Sequence, residues 1–174
     1  LEQNLFKTLK IAKACAEGRT RLVFSSSAAV YGNLDSALPI SESCAMVPSN
    51  PYGGTKMSAE NWFKIYRQRY ELDFVALRYF NVYGPRQRGG SPYGGVIANW
   101  VHSLWMKKPL VVYGDGNQTR DFIHVKDVVR ANIKASEVRT TGLDTYNICS
   151  EWRTSLNAIL ETLEKITRHK FRVV

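Results

Sequence analysis

Short apolar runs and amphipathic stretches alternate along nearly the whole chain, and few folds accept that alternation. Arg21 to Phe24, Asp73 to Tyr79, Leu110 to Tyr113, Phe122 to Val125 and Thr145 to Cys149 have the length and composition of buried strands. Phe171 to Val174 begins another. Between them, Asn4 to Ala16, Pro51 to Tyr70, Val96 to Met106, Asp127 to Ser136 and Leu156 to Thr167 are predicted as helices. Gly18 suits a helix stop, Asn50 a cap and Pro51 a first helical position. The stretches from Leu34 to Pro51 and from Gly84 to Gly95 are loops by their Ser, Pro, Asn, Gly and Arg content. Strands alternating with helices predict an α/β fold around a parallel sheet. Ligands in such sheets gather at the carboxyl ends of the strands. Three polar clusters fall there: Ser25 to Ser27, Phe80-Asn81, and the loop after Tyr113.

A length of 174 residues suits one domain, or one domain with an appendage, and 44% hydrophobic residues suffice for a core. No apolar run approaches the roughly 20 residues of a membrane helix. The first residues scatter lysines through an amphipathic pattern, unlike a signal peptide. A chain opening on Leu1 is expected to be part of a longer one. Cys15, Cys44 and Cys149 have no metal-ligand spacing. They are expected to be free thiols in a reducing compartment, the cytoplasm, with no metal bound. The net charge of +9 is dispersed, with no basic arm. It predicts a site for anionic nucleotides rather than a nucleic-acid surface, and no membrane partner.

Tyr52 and Lys56 stand four apart at the start of a helix and therefore share a face. A phenol with pKa about 10 works as a base near neutral pH only if that value falls by about three units. A neighbouring ammonium and a helix N-terminus both favour the phenolate. A serine at a neighbouring strand end would then hydrogen-bond the same substrate oxygen. The pair alone is also compatible with a surface tyrosine and a solvated lysine. Context sharpens it: Val23-Phe-Ser-Ser-Ser-Ala-Ala-Val-Tyr-Gly32 lies upstream and Arg78-Tyr-Phe-Asn-Val-Tyr-Gly-Pro-Arg-Gln87 downstream.

Together these segments resemble the extended short-chain dehydrogenase/reductase family, in particular its UDP-hexose and UDP-N-acetylhexosamine 4-epimerases. The resemblance runs over the whole chain in motif order. It implies a partial Rossmann-type parallel sheet with helices and tightly held NAD. Residues 1–82 and 123–149 would form the C-terminal half of the NAD-binding domain. Residues 83–122 and 150–174 would belong to a smaller substrate-binding subdomain. By motif position Ser27, Tyr52 and Lys56 are implied as catalytic. Asn4, Ser25, Ser26, Tyr52, Lys56 and Tyr79 are implied as cofactor-binding, although Lys7 stands where the family usually has Gly near Asn4. Ser27, Phe80, Asn81, Tyr113 and Arg120 are implied as substrate-binding. Asn81 and Arg120 would hold the diphosphate and Tyr113 would cover the base, as a flat ring and a guanidinium fork can. From the residues alone, Tyr79 and Phe80 also read as a packed strand end, Arg120 as a surface charge, and His124 as a packed strand histidine.

The glycine-rich turn that receives a dinucleotide pyrophosphate is absent from this sequence. The chain by itself is therefore expected to be inactive. Related dehydratases and decarboxylases carry an extra acid near the catalytic hydroxyl residue. Here Ala28 and Ala29 follow Ser27, and alanine moves no proton. The resemblance thus favours NAD-dependent 4-epimerisation of a nucleotide sugar. A reductase, another nucleotide-sugar epimerase of the family, or an inactive binding relative are its alternatives. The apolar face expected on the second helix (Ala59, Trp62, Phe63, Tyr66 and Tyr70) is too wide for one sheet face. A homodimer through helices 4–16 and 51–70 is the expected consequence.

Overall fold

The computed structural model describes residues 2–33, 39–91, 94–137 and 144–174. The chain divides into two compact units, Leu1–Phe80 with Val129–Ile148, and Asn81–Val128 with Cys149–Val174.

The first unit is built on three parallel strands, β1 (Leu22–Ser27), β2 (Phe74–Tyr79) and β5 (Thr145–Ile148), in the order β1-β2-β5. Leu22 pairs with Phe74 and Ser27 with Tyr79, while Ala76 pairs with Thr145 and Tyr79 with Ile148. β2 is central, and its five residues Phe74 to Arg78 are all buried. A strand covered on both faces loses the apolar/polar alternation, so Phe-Val-Ala-Leu is continuous.

Strand pleating separates two cores. On one face Phe24, Phe74 and Ala76 pack with Ala12, Ala59, Phe63 and Leu72. On the other, Val75 and Leu77 pack with Ala135. The helices supplying these layers are α1 (Lys7–Glu17), α2 (Pro51–Tyr70) and α4 (Val125–Glu137). Phe63 meets Phe24 edge-on at 4.9 Å and Phe74 at 5.4 Å between ring centroids.

α2 begins as its sequence dictates. The Asn50 side chain accepts a hydrogen bond from the Gly53 N–H at 2.9 Å, and Pro51 occupies the first turn. It ends where Glu71 turns left-handed and Arg67 donates to the carbonyls of Leu72 and Phe74. Before α1 the backbone makes one π turn, Glu2–Phe6.

The second unit holds β3 (Asn81–Tyr83), β4 (Thr119–His124) and β6 (Arg153–Ser155). β3 and β4 are parallel but β4 and β6 antiparallel, so this sheet is mixed, not purely parallel as the alternation predicts. α3 (Val96–Trp105) and α5 (Leu156–Thr167) supply Trp100, Leu156 and Ile159 to its core. α5 has the bounds predicted for it, and the Ser155 side chain caps it by accepting from the Ala158 N–H.

Several expectations are corrected. β1 runs through Ser27 rather than stopping at Phe24, so the serines extend the strand. Leu110 to Tyr113 is not a regular strand: it makes a parallel bridge from Leu110 to Val173, and the Leu110 and Val112 N–H groups donate to the Arg172 and Val174 carbonyls. Tyr113 therefore does not sit at a strand end. On α2 the buried positions are Gly53, Thr55, Ala59, Glu60 and Phe63, while Trp62 and Tyr70 are exposed. Residues 34–38 of the predicted loop lie outside the described residues.

Candidate active site

The carboxyl end of β1 and the first turns of α2 bring Ser27, Tyr52, Lys56 and the Ser25 carbonyl into one neighbourhood. The Lys56 ammonium donates to the Ser25 carbonyl at 2.8 Å. It also lies 4.8 Å from the Phe24 ring centre and 5.7 Å from that of Tyr52. Lys56 thus ties α2 to the end of β1 with one of the three N–H donors of an ammonium, leaving two that can address a ligand hydroxyl. Burial pushes its pKa below the ordinary value of 10.5.

Tyr52 is the second residue of α2, where the helix dipole favours an anion, and it is 48% exposed. The Thr55 hydroxyl donates to its carbonyl at 2.7 Å. Ser27 ends β1, and its hydroxyl oxygen accepts from the Ala29 N–H at 3.2 Å, capping a short 3-10 turn, Ala28–Tyr31. That turn lies against the start of α2: a Cβ on Gly53 would stand 2.3 Å from the Ala29 carbonyl oxygen. Only glycine allows this approach, which holds the residue after Tyr52 against the second residue after Ser27.

The Ser25 and Tyr79 side chains point to the face of the sheet away from α2. Their hydroxyls are 3.1 Å apart, and that of Tyr79 donates to Asn132 Oδ1 on α4 at 2.9 Å. Asn4 is exposed on the π turn, which packs on α2. Phe80 is half-buried, with its N–H on the Ile148 carbonyl.

Ser26 stands elsewhere. Successive strand residues face opposite sides, so between exposed Ser25 and half-buried Ser27 the Ser26 side chain turns inward. It is 2% exposed and donates to Glu60 Oε1 at 2.5 Å. Its hydroxyl is thereby turned away from the exposed Ser25 side chain and toward α2.

In the second unit, Asn81 is exposed and donates to the Asp121 carbonyl at 2.9 Å. Arg120 is exposed on β4, with one N–H on the Thr119 carbonyl. Tyr113 is 83% exposed, and its carbonyl accepts from Gln118. His124 packs its ring edge-on against Tyr83. Asp121 had no role in the sequence reading. Its carboxylate accepts from the Ser150 N–H and hydroxyl and from the Glu151 N–H, holding the turn before β6 while its carbonyl holds Asn81. Arg78, Glu60, Tyr31 and Asn147 also had no role in that reading. The signal was present in Arg78, a lone charge inside an apolar run, and in Glu60, one turn beyond Lys56.

The buried setting of Lys56 has a pH signature. Its folded pKa lies below the unfolded one, so between the two values the unfolded chain carries more protons. Stability therefore rises with pH from the lowered value up to 10.5. Urea denaturation at pH 8 and pH 10 should show this increment in the wild type and lack it in Lys56→Met. An equal change in both proteins would show that the ammonium is not held in a desolvated site.

Residues 1–149 match the NAD dependent epimerase/dehydratase family. A putative UDP-glucose 4-epimerase of Methanocaldococcus jannaschii is 37% identical over 147 residues, covering 83% of this chain and 46% of the relative. A solved structure of the UDP-N-acetylglucosamine 4-epimerase from Methanobrevibacter ruminantium M1, in complex with UDP-N-acetylmuramic acid, superposes with a TM-score of 0.93 at 36% identity. That match covers 99% of this chain and 56% of the other. The UDP-glucuronic acid 4-epimerase of Bacillus cereus, solved with UDP-glucuronic acid and NAD, gives 0.88 at 32% identity over 98% of this chain and 53% of the other. The chain spans about half the length of the relatives it matches.

Proposed function

We propose that this chain, which belongs to the NAD dependent epimerase/dehydratase family, is the catalytic part of an enzyme that epimerises a UDP-hexose or UDP-N-acetylhexosamine at C4. The observation that carries this reading is the Lys56 ammonium, half-buried between the Ser25 carbonyl and the Tyr52 ring at the start of α2. The relatives supporting it are 4-epimerases of UDP-sugars. The fit to NAD is local. Lys56 suits a ribose hydroxyl pair, Ser25 and Tyr79 lie at the ends of β1 and β2, and Asn4 is exposed on the π turn against α2. The pyrophosphate would find no glycine-rich turn in this sequence.

The chemistry follows from the positions. Tyr52, as phenolate, takes the proton of the sugar 4-hydroxyl. The positive charge of Lys56 and the helix N-terminus favour that state. The Ser27 hydroxyl hydrogen-bonds the same oxygen. NAD, when bound, would supply the hydride acceptor and donor for C4. The 4-keto sugar must turn over between the two transfers, so it is held by its nucleotide and not by its ring. Tyr113 is assigned to the base, and Asn81 and Arg120 to the diphosphate; Phe80 and Ser27 line the sugar. In this reading residues 1–82 and 123–149 belong to the NAD-binding domain, and residues 83–122 and 150–174 to the substrate-binding subdomain.

Cys15, Cys44 and Cys149 are not joined in disulfides, which suits the reducing cytoplasm. No helix among the described residues is long and apolar enough to cross a membrane. Ile11 on α1 and Trp62, Ile65 and Tyr70 on α2 remain exposed, which supports pairing of two copies through these helices.

The test is the product. The full-length protein, given UDP-galactose and UDP-N-acetylgalactosamine, should yield the 4-epimer of at least one and no dehydrated sugar. A 4-keto-6-deoxy sugar as main product would overturn the reading of Ala28 and Ala29.

A further inference from the structure

Beneath the candidate site lies a buried ionic network that the proposed chemistry does not use. Arg78, in the middle strand, donates through Nε and NH2 to both carboxylate oxygens of Glu60, the shortest contact being 2.7 Å. Glu60 is fully buried and Arg78 nearly so. The same carboxylate accepts from Ser26. The other guanidinium nitrogen donates to the Tyr31 hydroxyl at 2.7 Å and to the Glu42 carbonyl at 3.2 Å. The Tyr31 hydroxyl in turn donates to Asn147 Oδ1 on β5 at 2.7 Å. The Asn147 backbone N–H donates to the Glu42 carboxylate, and its side-chain amide donates to the Ile40 carbonyl. Hydrogen bonds to Glu60 and Tyr31 and the Glu60 charge outweigh burial, so the Arg78 pKa is raised and the guanidinium stays charged.

A buried pair of this kind is weak evidence for stability, because desolvation offsets most of its attraction. Its placement suggests another use. Ser26 adjoins Ser27. Tyr31 ends the turn that begins after Ser27. Glu42 and Ile40 lie in the loop that leads to Asn50 and Tyr52. Glu60 is two turns beyond Tyr52 on the same helix. One guanidinium thus holds both ends of the segment from Ser27 to Tyr52.

We propose that Arg78, with Glu60 and Tyr31, is a positioning centre that sets the Tyr52 hydroxyl against Ser27. This rests on the reading of Tyr52 and Ser27 as the proton-handling pair. Misplacing reacting groups by about 1 Å can cost about a hundredfold in rate. Arg78→Lys keeps the charge opposite Glu60 but loses the fork to Tyr31 and Glu42. Tyr31→Phe leaves the ion pair intact and removes one oxygen.

Both variants are made in the full-length enzyme and assayed well below their melting temperatures. Each should lose roughly tenfold to a hundredfold in kcat, while KM for the nucleotide sugar and the NAD affinity stay within about twofold. A folded variant with kcat within threefold of wild type overturns the proposal. A second readout is independent of turnover: 3-fluorotyrosine placed at position 52 and followed by fluorine NMR. One sharp resonance in the parent should broaden or split in Tyr31→Phe, and unchanged spectra would overturn the proposal. If the wild type turns over no nucleotide sugar, the epimerase reading fails and the spectra alone decide the positioning. If neither variant folds, the network is a structural element only and the proposal falls.

Discussion

Tyr52→Phe in the full-length protein is expected to lower turnover by about two to four orders of magnitude, the span typical of a lost general base. Binding of NAD and of the nucleotide sugar should change by less than about threefold. The phenol hydroxyl lies on an exposed face of the first turn of α2, and the ring packs only loosely against Lys56. Removing one oxygen there takes away the proton acceptor and leaves the helix start intact, because the cap belongs to Asn50 and the tether to Lys56. Initial-rate kinetics with UDP-galactose, beside calorimetric titration of a UDP-sugar, check both halves. Turnover within threefold of wild type would remove Tyr52 from the chemistry. Lys56→Met should act differently, weakening NAD as well as turnover.

Phe63→Ala is expected to destabilise the protein by about 3–5 kcal/mol, the range for a buried phenylalanine truncated to alanine. Phe63 is fully buried, with Phe24 and Phe74 against its ring. The space it leaves faces two rigid strands and a helix, so it cannot collapse freely. Trp62, its neighbour, is 45% exposed. In a monomer Trp62→Ala should cost less than about 1 kcal/mol, as partly exposed side chains away from specific contacts do. If two copies pair through α1 and α2, Trp62→Ala should instead weaken association, because a covered tryptophan side chain contributes on the order of 2 kcal/mol. Urea denaturation and light scattering on the same variants separate the two. A Phe63→Ala loss below about 1 kcal/mol would contradict the packing described for α2. A strict monomer at tens of micromolar would remove the dimer.

Much of the geometry of the candidate site was legible in the sequence. The shared face of Tyr52 and Lys56 follows from helical spacing behind a cap that the chain writes out as Asn50-Pro51. The strand end at Ser25 to Ser27 follows from its place after an apolar run, and only the family resemblance singles out Ser27 within it. These are local signals, and local geometry keeps them: a helix start needs a donor-accepting side chain, and four residues make one turn. The orientation of Ser26 was not legible in the same way. A run of three serines looks uniform, but a strand sends neighbours to opposite faces. Which serine turns inward depends on where the helices lie.

What the sequence by itself determined is the five helices and the strands β1, β2, β4 and β5 to within a few residues, the start of α2 and the spacing of Tyr52 and Lys56; the short strands β3 and β6 were not legible in it. Each legible feature depends on interactions within a few residues, and the pattern of side chains records them. Only the tertiary structure decided that Arg78 meets Glu60 and Tyr31, that β4 takes an antiparallel neighbour, and that Leu110 to Tyr113 makes no regular strand. These depend on partners distant along the chain: Glu60 is 18 residues from Arg78, and Tyr31 is 116 from Asn147. A buried charge is tolerated only where an opposite charge and further donors or acceptors meet it in space. A regular strand needs a partner backbone beside it over several consecutive residues. Neither condition is written in the residue itself, and both are met or missed only once the chain has folded.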